Sequence, residues 1–314
     1  MKKKVSLVIR IFLSVLFLCM AFYFVGYHNF LTALKNTPLS VFFVYLVYMP
    51  LAIIFGALNI YLLLSATSIN VAFKTWWKYY ARSWAFGLIT PAKVGEFSLV
   101  YFLRKKQVKI GSSVALILLD KIITFFLMIV IALFSSQLFS NQFNITYLLF
   151  SAFSLFLVLA LFITNKTLKN YVIKKLNYRI ITSFITKIKG YSQTIIEVFQ
   201  NKRFITANFG LTLFRYFIGV YVIHLAFFLI GNPVNYWHIF IIQSLVILIS
   251  SVPITNAGLG LKEGTAVFLF SLVGVPTSIT FIIYLSFTLV TYFAGFMIFL
   301  IFRKENEPAK KELL

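Results

Sequence analysis

Acidic charge is what this chain has least of. Seven Asp and Glu residues stand against 29 Lys and Arg in 314 residues, a formal net charge of +22. Charged residues of either sign reach only 11%, against roughly a quarter in an average soluble domain. Cysteine occurs once, at Cys19, which excludes an intrachain disulfide and any cysteine-built metal site. There is no Walker loop, so nothing signals ATP hydrolysis. No Ser-His-Asp arrangement is readable, and His28, His224 and His238 lack metal-ligand spacing. No cofactor and no metal are expected, and a non-enzymatic role is favoured.

Apolar side chains are abundant. Hydrophobic residues make up 61% of the chain, with 38 Phe and 17 Tyr, and mean hydropathy is +0.94. A chain with long uncharged stretches cannot be packed into one water-soluble core, so soluble enzymes, DNA-binding modules and disordered proteins are excluded as primary readings. In a membrane protein the basic excess speaks of topology and of anionic lipid headgroups rather than nucleic acid.

Charges divide the sequence. None occurs at 11–27, between Lys35 and Lys74, between Lys121 and Lys166, between Arg215 and Lys262, or from Gly264 to Phe302. A spanning helix needs about 20 mostly apolar residues. The expected spans are 6–27, 39–64, 112–136, 145–165, 203–230 and 277–302. The basic start followed by an apolar run resembles a signal peptide. However, no small-x-small cleavage site follows, and Leu18 is too large for a lipoprotein site before Cys19. An uncleaved first helix is expected.

Segments 75–103 and 237–271 differ from the spans. Each has two short apolar halves separated by a Pro/Gly-rich break, and Pro and Gly interrupt helical hydrogen bonding. Irregular backbone at membrane depth survives only when protein or a watery cavity covers it. The expected fold is therefore an all-α polytopic membrane protein with six spanning helices and two re-entrant helical hairpins. That topology places every basic cluster on one side, as the positive-inside rule requires, with both termini cytoplasmic at the cell membrane. The connections at 28–38, 137–144, 231–236 and 272–276 contain only Lys35.

The two hairpins have related surroundings. Ser83 to Pro91 parallels Ser244 to Pro253, Pro91-Ala-Lys-Val-Gly-Glu96 parallels the stretch from Pro253 to Glu263, and Gly111 to Leu119 parallels Pro276 to Tyr284. Three spans per copy is an odd number, so the second copy is inverted. Paired broken helices in inverted halves point to a transporter binding site. The organisation expected is a first repeat at 1–138, a second at 139–302 and a polar cytoplasmic tail at 303–314. Within the second repeat, 166–202 is expected to lie as an amphipathic helix on the cytoplasmic surface, where basic residues favour anionic lipid. A solvated connector is the alternative.

Only three acids lie among apolar residues: Glu96, Asp120 and Glu263. Pro91 stops the incoming half-helix, Gly95 permits close packing, and Glu96 begins the outgoing half with Lys93 nearby. A helix-start acid needs no function at an interface, but an intramembrane charge costs about 2.5–3.5 kcal/mol on insertion scales, which favours a role for Glu96. Glu263 follows Asn256, Gly258, Gly260 and Lys262. Lys262 and Glu263 form a local ion pair on one reading. On the other, Lys262 and the loop amides hold a lipid phosphate. Asp120 and Lys121 point about 100° apart on a helix, so Asp120 is expected to pair elsewhere, with Arg82 or Arg104 as candidates. Arg215 lies well inside the fifth span, either snorkelling or facing an interior partner.

Pro91-Ala-Lys-Val-Gly-Glu96, Leu103-Arg-Lys and Leu119-Asp-Lys-Ile together resemble one signature of the flippase-like lysylphosphatidylglycerol synthase transmembrane family. Pro253 to Gly264 with Val273-Gly-Val-Pro276 resembles the other. The resemblance covers nearly the whole chain. In members of the multiple peptide resistance factor type, it implies movement of aminoacylated phosphatidylglycerol between leaflets, with synthesis by a separate soluble domain. Other relatives are linked to polyprenyl-lipid and glycan assembly. The sequence ends 12 residues after Phe302, so that soluble domain is not expected here. The family's Gly-Gly-Leu-Gly reads Ala257-Gly-Leu-Gly260, and its Asp-Arg reads Asp120-Lys121.

The expected function is a lipid transporter or flippase acting on an anionic, aminoacylated or polyprenyl-linked lipid. A membrane-embedded enzyme acting on a lipid headgroup is the alternative, with a scaffold third. Membrane lipids are the expected partners, joined by a separate lipid-modifying enzyme or glycosyltransferase. The topology is testable with a single cysteine introduced at position 170, which should resist impermeant labelling from outside intact cells. Labelling there would overturn the topology.

Overall fold

The computed structural model describes residues 2–90, 94–134, 190–252 and 254–302, with side chains described from Phe12 onward except that of Val94. The described residues are mostly helical, and none of them forms a strand. In chain order the helices are α1 (Lys2–Val25), α2 (Tyr27–Asn36), α3 (Leu39–Ser65), α4 (Phe73–Ile89), a 3-10 turn (Val94–Phe97), α5 (Ser98–Arg104) and α6 (Ile110–Leu133). After the undescribed 135–189 come α7 (Tyr191–Gln200), α8 (Lys202–Leu229), α9 (Tyr236–Ser250), α10 (Leu261–Ser271) and α11 (Thr277–Ile301).

Helices α3, α6, α8 and α11 are long and apolar enough to cross a membrane. The first helix and α2 make a further candidate, bent by 87° where Gly26 adopts φ 80°. Five of the expected spans thus coincide with helices, and 145–165 lies outside the described residues. The amphipathic segment is described only from 190, where α7 buries Tyr191, Thr194, Ile195 and Val198.

The expected interruptions are present. Helix α4 stops at Ile89, and the chain resumes helical structure in the 3-10 turn and α5. Helix α9 begins behind Asn235, whose side chain accepts the Trp237 N–H at 2.8 Å. It stops at Ser250, and α10 starts at Leu261. Prolines 91 and 253 at the breaks lie outside the described residues.

Two compact units form. One comprises residues 1–55, 77–98 and 215–314, and the other 56–76 and 99–214. The first unit contains both helix breaks.

Within that unit α11 is the common packing partner. At its end, Arg82 donates to the Phe302 carbonyl at 2.9 Å with its guanidinium 4.9 Å over the Phe302 ring. A cation there also suits the negative end of the helix dipole. Two turns back, Leu88 rests on Gly295, where an added Cβ would stand 2.5 Å from Leu88 Cδ1. Two turns further, Thr288 meets Lys262 and Glu263 of α10. Phe270 of α10 then faces Tyr284, ring centroids 6.1 Å apart. Thr288, Gly295 and Phe302 recur at seven-residue spacing, so they fall on nearly one face of the helix. Helix α4 therefore runs inward along α11 from its C-terminal end. Helix α10 departs from the middle of α11 toward its N-terminal end.

The second break is pressed against α1. Gly260 has φ 78°, and a Cβ there would lie 2.5 Å from the Ser14 carbonyl oxygen and 2.7 Å from the Leu18 nitrogen. No side chain fits. We expect Gly260→Ala to cost about 2 kcal/mol or more, combining backbone strain and overpacking. Gly274→Ala, with φ 80° but open space around it, should cost about 1 kcal/mol. Thermal melts of the detergent-purified variants check the order.

Candidate functional site

At the second break, charge and polarity are concentrated in a few ångströms. Glu263 is the third residue of α10 and is fully buried. Its Oε2 accepts the Gly260 N–H at 2.7 Å, the arrangement by which a glutamate in a first turn caps the helix start. Its Oε1 accepts a hydrogen bond from the Thr288 hydroxyl and lies 3.5 Å from Lys262 Nζ. Lys262 Nζ in turn donates to Thr288 Oγ1 at 2.5 Å and stands 5.0 Å over the Phe287 ring. Thr288 therefore bridges the base and the acid, and the local ion pair exists. A buried carboxylate is tolerable because three donors face it.

The loop before α10 supplies further polar atoms. The Asn256 N–H donates to Ser14 Oγ at 2.9 Å, which fastens the break to α1. The Asn256 side-chain oxygen and the Thr255 hydroxyl are buried without a hydrogen-bond partner. Gly258 packs on Ser250 at the end of α9.

The first break is tied across its own two arms. The Thr90 hydroxyl donates to the Phe86 carbonyl at 3.0 Å and accepts the Gly95 N–H at 2.6 Å. Ser83 donates to the carbonyls of Gly95 and Glu96. A Cβ on Gly95 would overlap the Phe86 carbonyl, so only glycine allows the arms this close. Glu96 is half-buried, its Cγ lying 2.8 Å from where a Cβ on Gly87 would stand. Lys93 and Pro91 lie outside the described residues.

Arg215 sits midway along α8 and is half-buried. Its charge reaches Tyr48, whose hydroxyl lies 2.9 Å from the Cβ position of Gly219, one turn along α8. The Tyr48 and Phe287 rings are 6.2 Å apart. An aromatic path, Phe287 then Tyr48, thus leads from Lys262 toward Arg215.

Asp120, Lys121 and Arg104 belong to the second unit. Arg104 is exposed at the end of α5. The Asp120 side chain is buried in α6 and accepts from Asn208 Nδ2 at 3.3 Å. Cavities of about 320 and 270 Å³ also lie in this unit, lined by polar residues including Ser68, Asn70, Lys106, Lys109 and Glu197. They are open clefts at the helix ends, and their linings contain none of Glu96, Asp120 and Glu263.

Thr288, Ser14, Ser83 and Asn208 escaped the reading of the sequence. Single hydroxyls in apolar helices carry no signal by themselves. Asn208 is a polar residue inside a span, and that was a usable signal. Among the described residues no group of three or more His, Cys, Asp or Glu is placed to hold a metal ion.

The family model for the lysylphosphatidylglycerol synthase TM region matches residues 7–298. The chain belongs to that family. No curated protein and no solved structure matches it significantly. The lysylphosphatidylglycerol synthase transmembrane family is a membrane-lipid family, and the helices of this member place it among multi-pass membrane proteins. The Pro91–Glu96 part of one signature and the Pro253–Gly264 part of the other fall at the two helix breaks.

The ion pair is open to a double substitution. Lys262→Met leaves a buried carboxylate without its cation and should destabilise the protein by about 3–5 kcal/mol. Adding Glu263→Gln removes the stranded charge and should recover much of that loss. Melting temperatures of the two variants against wild type measure the recovery.

Proposed function

We propose that this protein moves a lipid with an anionic headgroup between the two leaflets, the headgroup passing through a polar path while the tails stay in the bilayer. The observation that carries this reading is the placement of the second break. A lysine and a buried glutamate stand midway along the spanning helix α11, and the loop before them carries two buried oxygens without hydrogen-bond partners. Intramembrane ionisable residues are expensive and mark pathways by default.

The register along α11 supports a re-entrant, inverted arrangement. The first hairpin approaches from one end of α11, and the second lies toward the other. Transporters with inverted repeats set their discontinuous helices around a shared site in this way. In this reading Arg215 and Lys262 attract the headgroup phosphate, and Glu96 and Glu263 hold and release those bases. The aromatic path between Lys262 and Arg215 gives the headgroup a cation-flanked, low-dielectric route. Both termini face the cytoplasm. The substrate is a phospholipid or polyprenyl-linked lipid delivered by a separate lipid-modifying enzyme or glycosyltransferase.

Lipids retained by the gently purified protein, named by mass spectrometry, supply the substrate for a leaflet-transfer assay in vesicles. Glu96→Gln and Glu263→Gln should each slow transfer about tenfold or more, equivalent to about 1.4 kcal/mol on the barrier, with elution profile and membrane insertion unchanged. Wild-type rates in both variants and in the double variant would reject the mechanism. Failure of both to fold would assign the acids to structure alone.

A further inference from the structure

The short helix α2 has three distinct sides, and neither sequence signature includes it. Phe30 and Ala33 face the protein. Ala33 is buried, and the Phe30 ring lies 5.1 Å from that of Phe22 in α1 and 5.9 Å from that of Phe281 in α11. Tyr27, Leu31 and Leu34, spaced i, i+4 and i+7, form an apolar second side. Tyr27 and Leu34 are exposed there, and Leu31 is half-buried. His28, Thr32, Lys35 and Asn36 form a polar third side, and all four are exposed. At about 100° per residue the three sides occupy separate sectors of the helix. Lys35 is the one charged residue of α2.

The bend that precedes α2 is built into the backbone. Gly26 takes φ 80°, and the two helices meet at 87°. The Phe30 N–H donates to the Gly26 carbonyl at 3.0 Å, and Asn29 Nδ2 donates to the Val25 carbonyl at 3.2 Å. The turn thus supplies partners for carbonyls at the end of α1. Helix α1 has 24 residues, a rise of about 36 Å, against a hydrocarbon core of about 30 Å. Its crossing is complete at Gly26, so a helix set at nearly a right angle beyond it runs along the membrane. The ten residues of α2 rise only about 15 Å, too little to cross. Phe12, Leu16, Met20 and Tyr23 place exposed apolar side chains down one side of α1. That stripe faces lipid and ends on the exposed rings of Phe24 and Tyr27. Tyrosine, with an apolar ring and a polar tip, is enriched where lipid meets water.

We propose that α2 is a membrane-surface helix, docked on the lipid of one leaflet with Tyr27, Leu31 and Leu34 at the acyl boundary and His28, Thr32 and Lys35 among the headgroups. Amphipathic helices with one apolar and one polar side lie in the interface plane in this way. Lys35 extends its ammonium toward lipid phosphates while its stem covers apolar surface. The occupant is lipid rather than a protein partner because the apolar side of α2 continues the lipid-facing stripe of α1. The third side is already filled, since Phe30 packs on Phe281, the fifth residue of α11. Docking therefore holds the start of α11 at a set depth in the membrane. On the topology read from the basic residues this is the outer leaflet, because 28–38 and 272–276 both belong to the connections poor in Lys and Arg. This surface goes beyond the lipid-transfer reading and stands without it.

The test uses the full chain in vesicles of phosphatidylcholine and phosphatidylglycerol. Cys19 is exposed on α1, so Cys19→Ser provides the background for single nitroxide labels. Leu31→Cys and Leu34→Cys report the apolar side, and Thr32→Cys and Lys35→Cys the polar side. Collisions with oxygen, which concentrates in lipid, should exceed those with a water-soluble nickel chelate at 31 and 34. The order should reverse at 32 and 35. Chelate dominance at all four positions would put α2 in water and overturn the proposal. Oxygen dominance at all four would put it inside the bilayer, as part of a re-entrant loop, and would equally overturn it. Labels at 31 and 34 shielded from both reagents, with spin–spin broadening, would assign the apolar side to a second copy of the chain instead. A second measurement needs no substitution: phosphatidylcholine carrying a photoreactive group near its headgroup should crosslink the wild-type chain within 27–35. If a labelled variant fails to fold, that map decides, and crosslinks elsewhere on the chain but none within 27–35 would reject the proposal.

Discussion

Hydrocarbon offers a polar group no water to fall back on, so every charge and every broken helix end inside a membrane must find its partner within the protein. At the start of α10 that requirement is met by a compact set of groups. Glu263 receives the Gly260 amide, the Thr288 hydroxyl and the charge of Lys262. The same contacts cap the helix and register α10 on α11. Remove the carboxylate, and the Gly260 amide loses its acceptor and Lys262 its counter-charge. The rest of the first unit is organised around meeting this demand.

That arrangement constrains how a ligand is received. The Gly260 amide, a natural anion donor, already serves Glu263. On the proposed function, a lipid phosphate that engages Lys262 would compete with Thr288 and the neighbouring carboxylate. Binding would then exchange one set of charge-assisted hydrogen bonds for another, keeping the net energy change small and binding reversible. A site made only of bases would hold its phosphate too tightly to let it go.

The helix limits and the two breaks were readable because their causes are local. Pro, Gly and the absence of charge act on neighbouring residues, and α9 starts one residue before, and α10 ends at, the limits 237 and 271 read from the sequence. Glu96, Lys262 and Glu263 stood out because charge is so scarce. Partnerships were not readable. Thr288 meets Lys262 across 26 positions and Asn59 meets Thr212 across 153, and nothing local marks either. Asp120 accepts from Asn208 across 88 positions, because the packing of the helices decides which side chain stands opposite.

The stripe of Thr288, Gly295 and Phe302 makes α11 behave as a lever with its pivot near mid-length. The first hairpin bears on its C-terminal half, at Gly295 and Phe302. The second bears on its middle and N-terminal half, at Thr288 and Tyr284. A tilt that presses one arm of the lever against its hairpin draws the other arm away. Rotation about the helix axis instead carries all four contacts sideways in the same sense. One helix of 25 residues would thereby give the two helix breaks opposite responses to a single motion.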